Sequence, residues 1–221
     1  MFRWPNNSEH TLLIGQNGSG KSVFAAHLLS NAPFDRQPYI VIDFKKEELF
    51  NSIERAEYID FNDKPKAPGI YILQANPDVD DVKVNEFLYG VLKRGKTGLV
   101  YDEGYMIPNL GAMQAIYTQG RSKRVPVLTL TQRPVWLPRF AFSEAKYYGY
   151  FRLNDIRDQQ TIKNFVPAGD PIWDLRKAVP KYSARWYDSG QDASYLLLPA
   201  PNPDDILQRF DERLRVKRKV F

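Results

Sequence analysis

The chain has 221 residues, 43% of them apolar, which is enough to build one sizeable core, and we read residues 1–221 as a single domain. Its 31 Lys and Arg against 26 Asp and Glu leave a formal charge of +5, a balance that suits a polyanionic partner without requiring one. Cysteine is absent, which excludes disulfides and thiolate metal centres, leaves His10 and His27 as the imidazoles, and fits a reducing compartment. The N-terminus MFRWPNNSEH has no apolar signal region, and no segment approaches the roughly eighteen apolar residues of a membrane span, so a soluble protein without a signal peptide or a direct membrane span is expected.

In chain order, TLLI (11–14) reads as a short strand, followed at once by glycine, and SVFAAHLL (22–29) has apolar residues at helical spacing. YIVIDF (39–44) is β-branched and aromatic up to Asp43, the pattern of a strand buried on both faces, and GIYIL (69–73) reads as another strand. VNEFLYGVLKRG (84–95) places Phe87, Leu88, Val91 and Leu92 on one helical face and closes on Lys93, Arg94 and Gly95, a C-terminal signature. TGLVYDEGY (97–105) reads as a strand carrying two acids, residues 111–123 contain a helix, and VLTLTQRP (127–134) is a strand that ends on an amide and a guanidinium. Strands alternating with helices imply crossover connections and a parallel sheet covered on both faces.

The last third is less regular. AKYYGYFRL (145–153), PKYSARWYD (180–188) and ASYLLLP (193–199) read as strands, and Asp-Ser-Gly at 188–190 suggests that the last two form a hairpin. Asn202, Pro203, Asp204 and Asp205 open a helix with Ile206, Phe210 and Leu214 four apart. The aromatic stretch Tyr147, Tyr148, Tyr150 and Phe151 fits strand core better than a base-stacking surface, and His27 fits a structural role. The basic residues Arg213, Arg215, Lys217, Arg218 and Lys219 read as a solvated tail, 213–221.

GQNGSGKS (15–22) matches the pattern G-x-x-x-x-G-K-S/T between a predicted strand and a predicted helix, the context in which that pattern binds phosphate. In such a loop Gly15, Gln16, Asn17, Gly18, Ser19 and Gly20 turn backbone N–H groups onto phosphate oxygens, and a helix N-terminus adds partial positive charge. Lys21 is then expected to reach the β- and γ-phosphates of ATP, and Ser22 to coordinate Mg²⁺. An ordinary glycine turn is the plain alternative. Asp102 is the expected second holder of Mg²⁺, and Glu103 the group that orients and polarises an attacking water. Gln132, fixed on a rigid strand end, is expected to sense the γ-phosphate, because phosphoryl transfer depends on positioning and charge. Ends of parallel strands share one edge, so Gly15, Asp102 and Gln132 should meet there. A surface loop beginning at Gln132 and Arg133 is the alternative.

The succession GQNGSGKS, VIDFKK (41–46), LVYDEGY and TQGRSKRVPVLTLTQRP (118–134) resembles the FtsK/HerA superfamily of DNA-pumping ATPases. The resembling part runs over about residues 10–165, with FRLNDIRDQQTI (151–162) taken as the family's next strand and its polar continuation. The resemblance implies an α/β P-loop NTPase of the RecA/ASCE type, its central, mostly parallel sheet flanked by helices, here with antiparallel strands added near the C-terminus. Only about ten residues precede the first strand, so a bare motor is expected, similar to the genome-packaging ATPases of tailless, internal-membrane viruses. It further implies a ring, expected to be a hexamer, that drives double-stranded DNA held by its backbone phosphates, with capsid or membrane vertex proteins as further partners, in the virion or the host cytoplasm. A ring ATPase needs a cation from the neighbouring subunit; Arg121 is the first candidate, with Arg124 and Arg157 behind it. Asp43 and Lys45 match the family's second-strand element without an assigned chemistry, and Arg133 is expected to anchor the sensor strand. A coupling or assembly ATPase that moves protein or single-stranded DNA, a small-molecule P-loop kinase and a nucleotide-binding scaffold remain as alternatives.

Overall fold

The computed structural model describes residues 5, 6, 8–165 and 180–215. The strands are β1 (His10–Ile14), β2 (Pro38–Asp43), β3 (Glu57–Tyr58), β4 (Gly69–Gln74), β5 (Gly98–Tyr101), β6 (Val127–Thr131), β7 (Ala145–Tyr150), β8 (Ala184–Asp188) and β9 (Ala193–Leu197). They form one sheet in the order β3-β4-β2-β5-β6-β1-β7-β8-β9. Pairing is parallel from β3 through β7 and antiparallel from β7 to β9.

Helices α1 (Lys21–Asn31), α3 (Asp81–Arg94), α4 (Ala112–Gln119), α6 (Ile156–Lys163) and α7 (Pro203–Arg215), with the short α2 (Glu48–Asn51) and α5 (Arg139–Ser143), complete the fold. Alternation along the strands divides the core in two. Leu12, Ile14, Ile40, Ile42, Leu99 and Tyr101 pack on one side with α3, α4 and α6, while Leu13, Val41, Val100 and Leu130 pack on the other with α1 and α7. Every residue of β2 is buried, as expected of a central parallel strand. The expected hairpin is β8–β9: Oδ1 of Asp188 accepts the backbone N–H groups of Gly190 and Gln191 and closes the turn. Ile206, Phe210 and Leu214 are the buried face of α7.

Several boundaries differ from the sequence reading. β5 stops at Tyr101, so Asp102 and Glu103 sit just beyond the strand, and residues 104–106 turn as one 3-10 helix. A Cβ at Gly104 would fall 2.3 Å from Cγ2 of Thr129, so only glycine lets that turn lie against β6. FRLNDIRDQQTI is not a strand: β7 ends at Tyr150, and 156–163 is α6, capped by Asp155, whose carboxylate accepts the N–H groups of Arg157 and Asp158. The reading missed β3, α2 and α5, which are too short to carry a periodic signal. Arg213 and Arg215 belong to α7 and are not tail. Arg213 pairs with Asp35 at 3.0 Å and donates to the carbonyl of Ser30, and Arg215 pairs with Asp211 at 2.6 Å. Lys217, Arg218 and Lys219 lie outside the described residues.

Candidate nucleotide site

The loop after β1 is held by backbone on both flanks. Gly15 N–H donates to the carbonyl of Thr131 at the end of β6 (3.1 Å), and Gln16 N–H to the carbonyl of Arg152 beyond β7 (3.0 Å). A Cβ on Gly15 would lie 2.5 Å from Cβ of Phe151, and Gly20 enters α1 with φ of 93°, so both positions need glycine. Lys21 and Ser22 are thereby delivered to the first turn of α1, with Lys21 buried.

β6 lies between β1 and β5 and so separates the glycine loop from the acids. Glu103 spans that gap. Its Oε2 accepts the backbone N–H of Gln132 at 3.2 Å, while Oε1 lies 4.0 Å from the ammonium of Lys21 and in direct contact with the ammonium of Lys45. Asp102 is tied to β2 through its N–H, which donates to the carbonyl of Ile42 at 3.2 Å. The loop, the two acids and the backbone of Gln132 therefore meet on one edge, with Lys45 added.

Burial pushes the Asp102 carboxyl up to about 7; Lys21 opposes this, and Asp43, Glu47 and Glu103 reinforce it. Burial also lowers the Lys21 ammonium from its ordinary value, against the attraction of Glu103 and Asp102. Asp102 Oδ2 is buried without a hydrogen-bond partner among the described residues. That orphan acceptor is what a hard cation takes, so the residues present fit Mg²⁺. Among the described residues no group of three or more His, Cys, Asp or Glu is placed to hold a metal ion.

The sequence reading missed Glu47. Its Oε2 accepts from the hydroxyl of Ser22, one of the two residues expected to hold Mg²⁺, at 3.2 Å. Asp43 explains how it gets there: Oδ1 accepts the N–H groups of Lys45 and Glu47, and Oδ2 accepts from the amide of Asn51. Asp43 thus folds the turn after β2 so that Lys45 and Glu47 point back into the site. The strand-end Asp-x-Lys-x-Glu spacing was the available signal.

Gln132 donates through its amide to the hydroxyl of Tyr105 at 3.3 Å. Arg133 pairs with Asp155 and Asp158, each at 3.3 Å, and lies 4.8 Å from the ring centroid of Trp136, so it fastens β6 to the start of α6. Arg121 and Arg124 are exposed in the turn between α4 and β6, at the edge where β6 begins, opposite the nucleotide edge. Neither is brought to the site of its own chain. Arg157 is exposed on the first turn of α6.

No protein-family model matches the chain. It is 42% identical to the DNA packaging ATPase P9 of Enterobacteria phage PRD1, over 99% of this chain and 98% of that protein. The fold is also that of the genome packaging NTPase B204 of Sulfolobus turreted icosahedral virus 2, solved with ATP-gammaS. The two match with a TM-score of 0.67 at 17% identity, over 88% of this chain and 99% of that one. VirB4 of Thermoanaerobacter pseudethanolicus matches at 0.67 and 9% identity over 89% and 90%. On its likeness to the phage protein over nearly the whole of both chains, the chain belongs to the family of viral DNA packaging ATPases that includes P9.

Proposed function

We propose that this chain is the ATP-driven motor that moves double-stranded viral DNA into a capsid. The observation that carries the chemistry is the position of Glu103, one carboxylate touching the N–H of Gln132 and facing the ammoniums of Lys21 and Lys45. Full-length membership of the packaging family carries the work to which that chemistry is put.

In this reading backbone N–H groups of residues 15–20 hold the phosphates, and Lys21 neutralises charge on the β- and γ-groups. Ser22 and Asp102 hold Mg²⁺, which supplies charge neutralisation on the phosphates when bound. Glu103 orients a water molecule and accepts its proton as the water oxygen bonds to the γ-phosphorus and the bond to the ADP oxygen breaks. Gln132 registers the γ-phosphate and passes its presence to Tyr105. Arg121 cannot serve its own chain, and its exposed position at the far edge suits delivery to the site of a neighbouring copy in a ring, read as a hexamer. DNA is held through its backbone phosphates, as a pump indifferent to sequence requires.

The test is ATP hydrolysis with and without duplex DNA, together with oligomer mass under both conditions. Duplex-stimulated hydrolysis by an assembled ring supports the reading. Hydrolysis indifferent to duplex and raised by single strands alone would favour a single-strand coupling ATPase.

A further inference from the structure

The parallel strands begin on the edge opposite the glycine loop, and the turns that lead into β4, β5 and β6 carry cations to it. Lys66 stands just before β4, Arg94 and Lys96 lead into β5, and Lys123 and Arg124 lead into β6. In the sheet order β4-β2-β5-β6 these turns span about 14 Å, a length over which duplex DNA carries about eight phosphates. We propose that this line of cations is the surface that holds the backbone phosphates of duplex DNA. The proposal rests on the packaging reading above, and Arg121, assigned there to a neighbouring copy, is no part of the surface.

The cationic turns are joined to one another. Lys96 N–H donates to the carbonyl of Lys123 at 2.8 Å, and a Cβ on Gly95 would lie 2.8 Å from that same oxygen, so glycine lets the two turns touch. Lys96 and Arg124 hold φ of 47° and 56°, the left-handed region that Gly or Asn enters at less cost. Long cations kept in that region on touching turns point to a use for the side chains, since backbone strain gathers at functional sites. Arg94 lies beside them. It lines a cleft of about 270 Å³ with Lys66 and Lys96, and no acid among the described residues lines that cleft. Its Nε and Nη2 are buried without a hydrogen-bond partner among the described residues, which leaves the guanidinium with donors for an anion.

Charge and composition select nucleic acid over protein as the occupant. Among the described residues none of Lys66, Arg94, Lys96, Lys123 and Arg124 forms an ion pair, so each is available to a phosphate. Arg94 also borders a second cleft, where Asp60, Asp63 and Glu86 offset Lys64 and Lys83, and that cleft is left out of the surface. Protein interfaces centre on aromatic and apolar side chains and are poor in Lys, whereas no large exposed hydrophobic residue falls within 64–66, 93–96 or 121–124. Cations that meet phosphates release condensed counterions and read no bases, which suits a pump indifferent to sequence.

Fluorescence anisotropy of two labelled duplexes of unrelated sequence, titrated with the full chain over a range of KCl, reads the phosphate contacts as the slope of log affinity on log salt. Each of Lys66→Gln, Lys96→Gln and Lys123→Gln is expected to reduce that slope by about one and to weaken both duplexes alike. The triple variant should lose about tenfold or more in duplex affinity and hydrolyse ATP without DNA at the wild-type rate. Lys163→Gln removes the same charge from an exposed position at the end of α6 and should leave the slope unchanged. A triple variant with wild-type slope and affinity overturns the proposal, and so does a Lys163→Gln effect equal to that of Lys96→Gln, which makes the response one of net charge. Loss of oligomer mass in the triple variant with the slope unchanged assigns the edge to a contact between copies and also overturns it. Failure of the wild-type chain to bind either duplex removes the DNA reading itself, a result distinct from a misplaced surface.

Discussion

The ammonium of Lys45 is in contact with the same Glu103 oxygen that lies 4.0 Å from the ammonium of Lys21. Two cations from separate segments, one after β2 and one at the start of α1, fix one carboxylate oxygen, and the N–H of Gln132 fixes the other. A carboxylate held at three points is preorganised for the proposed role of base, in which small displacements of reacting groups are costly. Lys45→Met is therefore expected to lower kcat by about 10²-fold, the scale of an ångström-sized misplacement, with little change in ATP affinity. Lys45→Arg should recover part of the rate. Steady-state hydrolysis beside nucleotide titration distinguishes this from general loss of structure.

Trp136 offers an optical readout of the sensing role proposed for Gln132. It is 60% exposed, its ring centroid is 5.3 Å from that of Tyr105, and Tyr105 accepts the amide of Gln132. Binding of Mg²⁺ and ATP should change Trp136 emission, Trp136→Phe should remove the change, and Gln132→Ala should abolish it with the tryptophan present. Equal responses in wild type and Gln132→Ala would separate Gln132 from the γ-phosphate.

His10 gives a pH dependence whose sign is fixed by its bonds. Val127 N–H donates to Nδ1 at 3.1 Å, so the proton sits on Nε2 and is donated to the carbonyl of Tyr117, also at 3.1 Å. Burial pushes the imidazole down to about 4; the Tyr117 bond opposes this and the Arg121 charge adds to it. Between about 4 and 6.5 the unfolded chain holds more protons on this group than the folded one, so its stabilising effect is full above 6.5 and is lost as pH falls toward 4. His10→Gln should cost about 1–3 kcal/mol at pH 7 by leaving Val127 N–H unpaired. In urea unfolding, the gap between variant and wild type should narrow at pH 4.5; a gap independent of pH would contradict the assigned neutral form.

Arg121 stands on the edge opposite its own chain's Lys21, and a residue acting on a neighbour leaves a distinctive mixing signature. Arg121→Ala alone should lose duplex-stimulated hydrolysis by about 10³-fold or more. Mixed with Lys21→Ala, an inactive variant with an intact arginine, it should regain activity, since a Lys21→Ala neighbour supplies the missing cation. Failure to complement, with mixed rings formed, would remove Arg121 from this role.

The loop 15–22, the acids at 102 and 103 and the amide at 132 were legible in the sequence because each is a strand end, and parallel strands gather their ends on one edge. Glu47 was marked only by the Asp-x-Lys-x-Glu spacing and was missed, because its arrival depends on the Asp43 side chain curling the turn after β2, a contact that no periodicity encodes. Tyr182 and residues 199–203, which border the glycine loop, were hidden by distance along the chain: they meet it only after β8 and β9 extend the sheet past β7. The misread 151–162 segment is apolar at Phe151 and Leu153 like a strand, yet Asp155 caps a helix there and Arg133 draws that cap to the end of β6.

The most direct test is single-turnover hydrolysis by Glu103→Gln under conditions where ATP binding is measured in the same sample. Glutamine keeps the size of the side chain and an acceptor for the N–H of Gln132 but cannot take a proton from water. The expected result is ATP bound near wild-type affinity with phosphate release slowed by about 10²- to 10⁴-fold. Phosphate released by Glu103→Gln at the wild-type rate would contradict the proposed role of Glu103 as the base and, with it, the proposed catalytic centre.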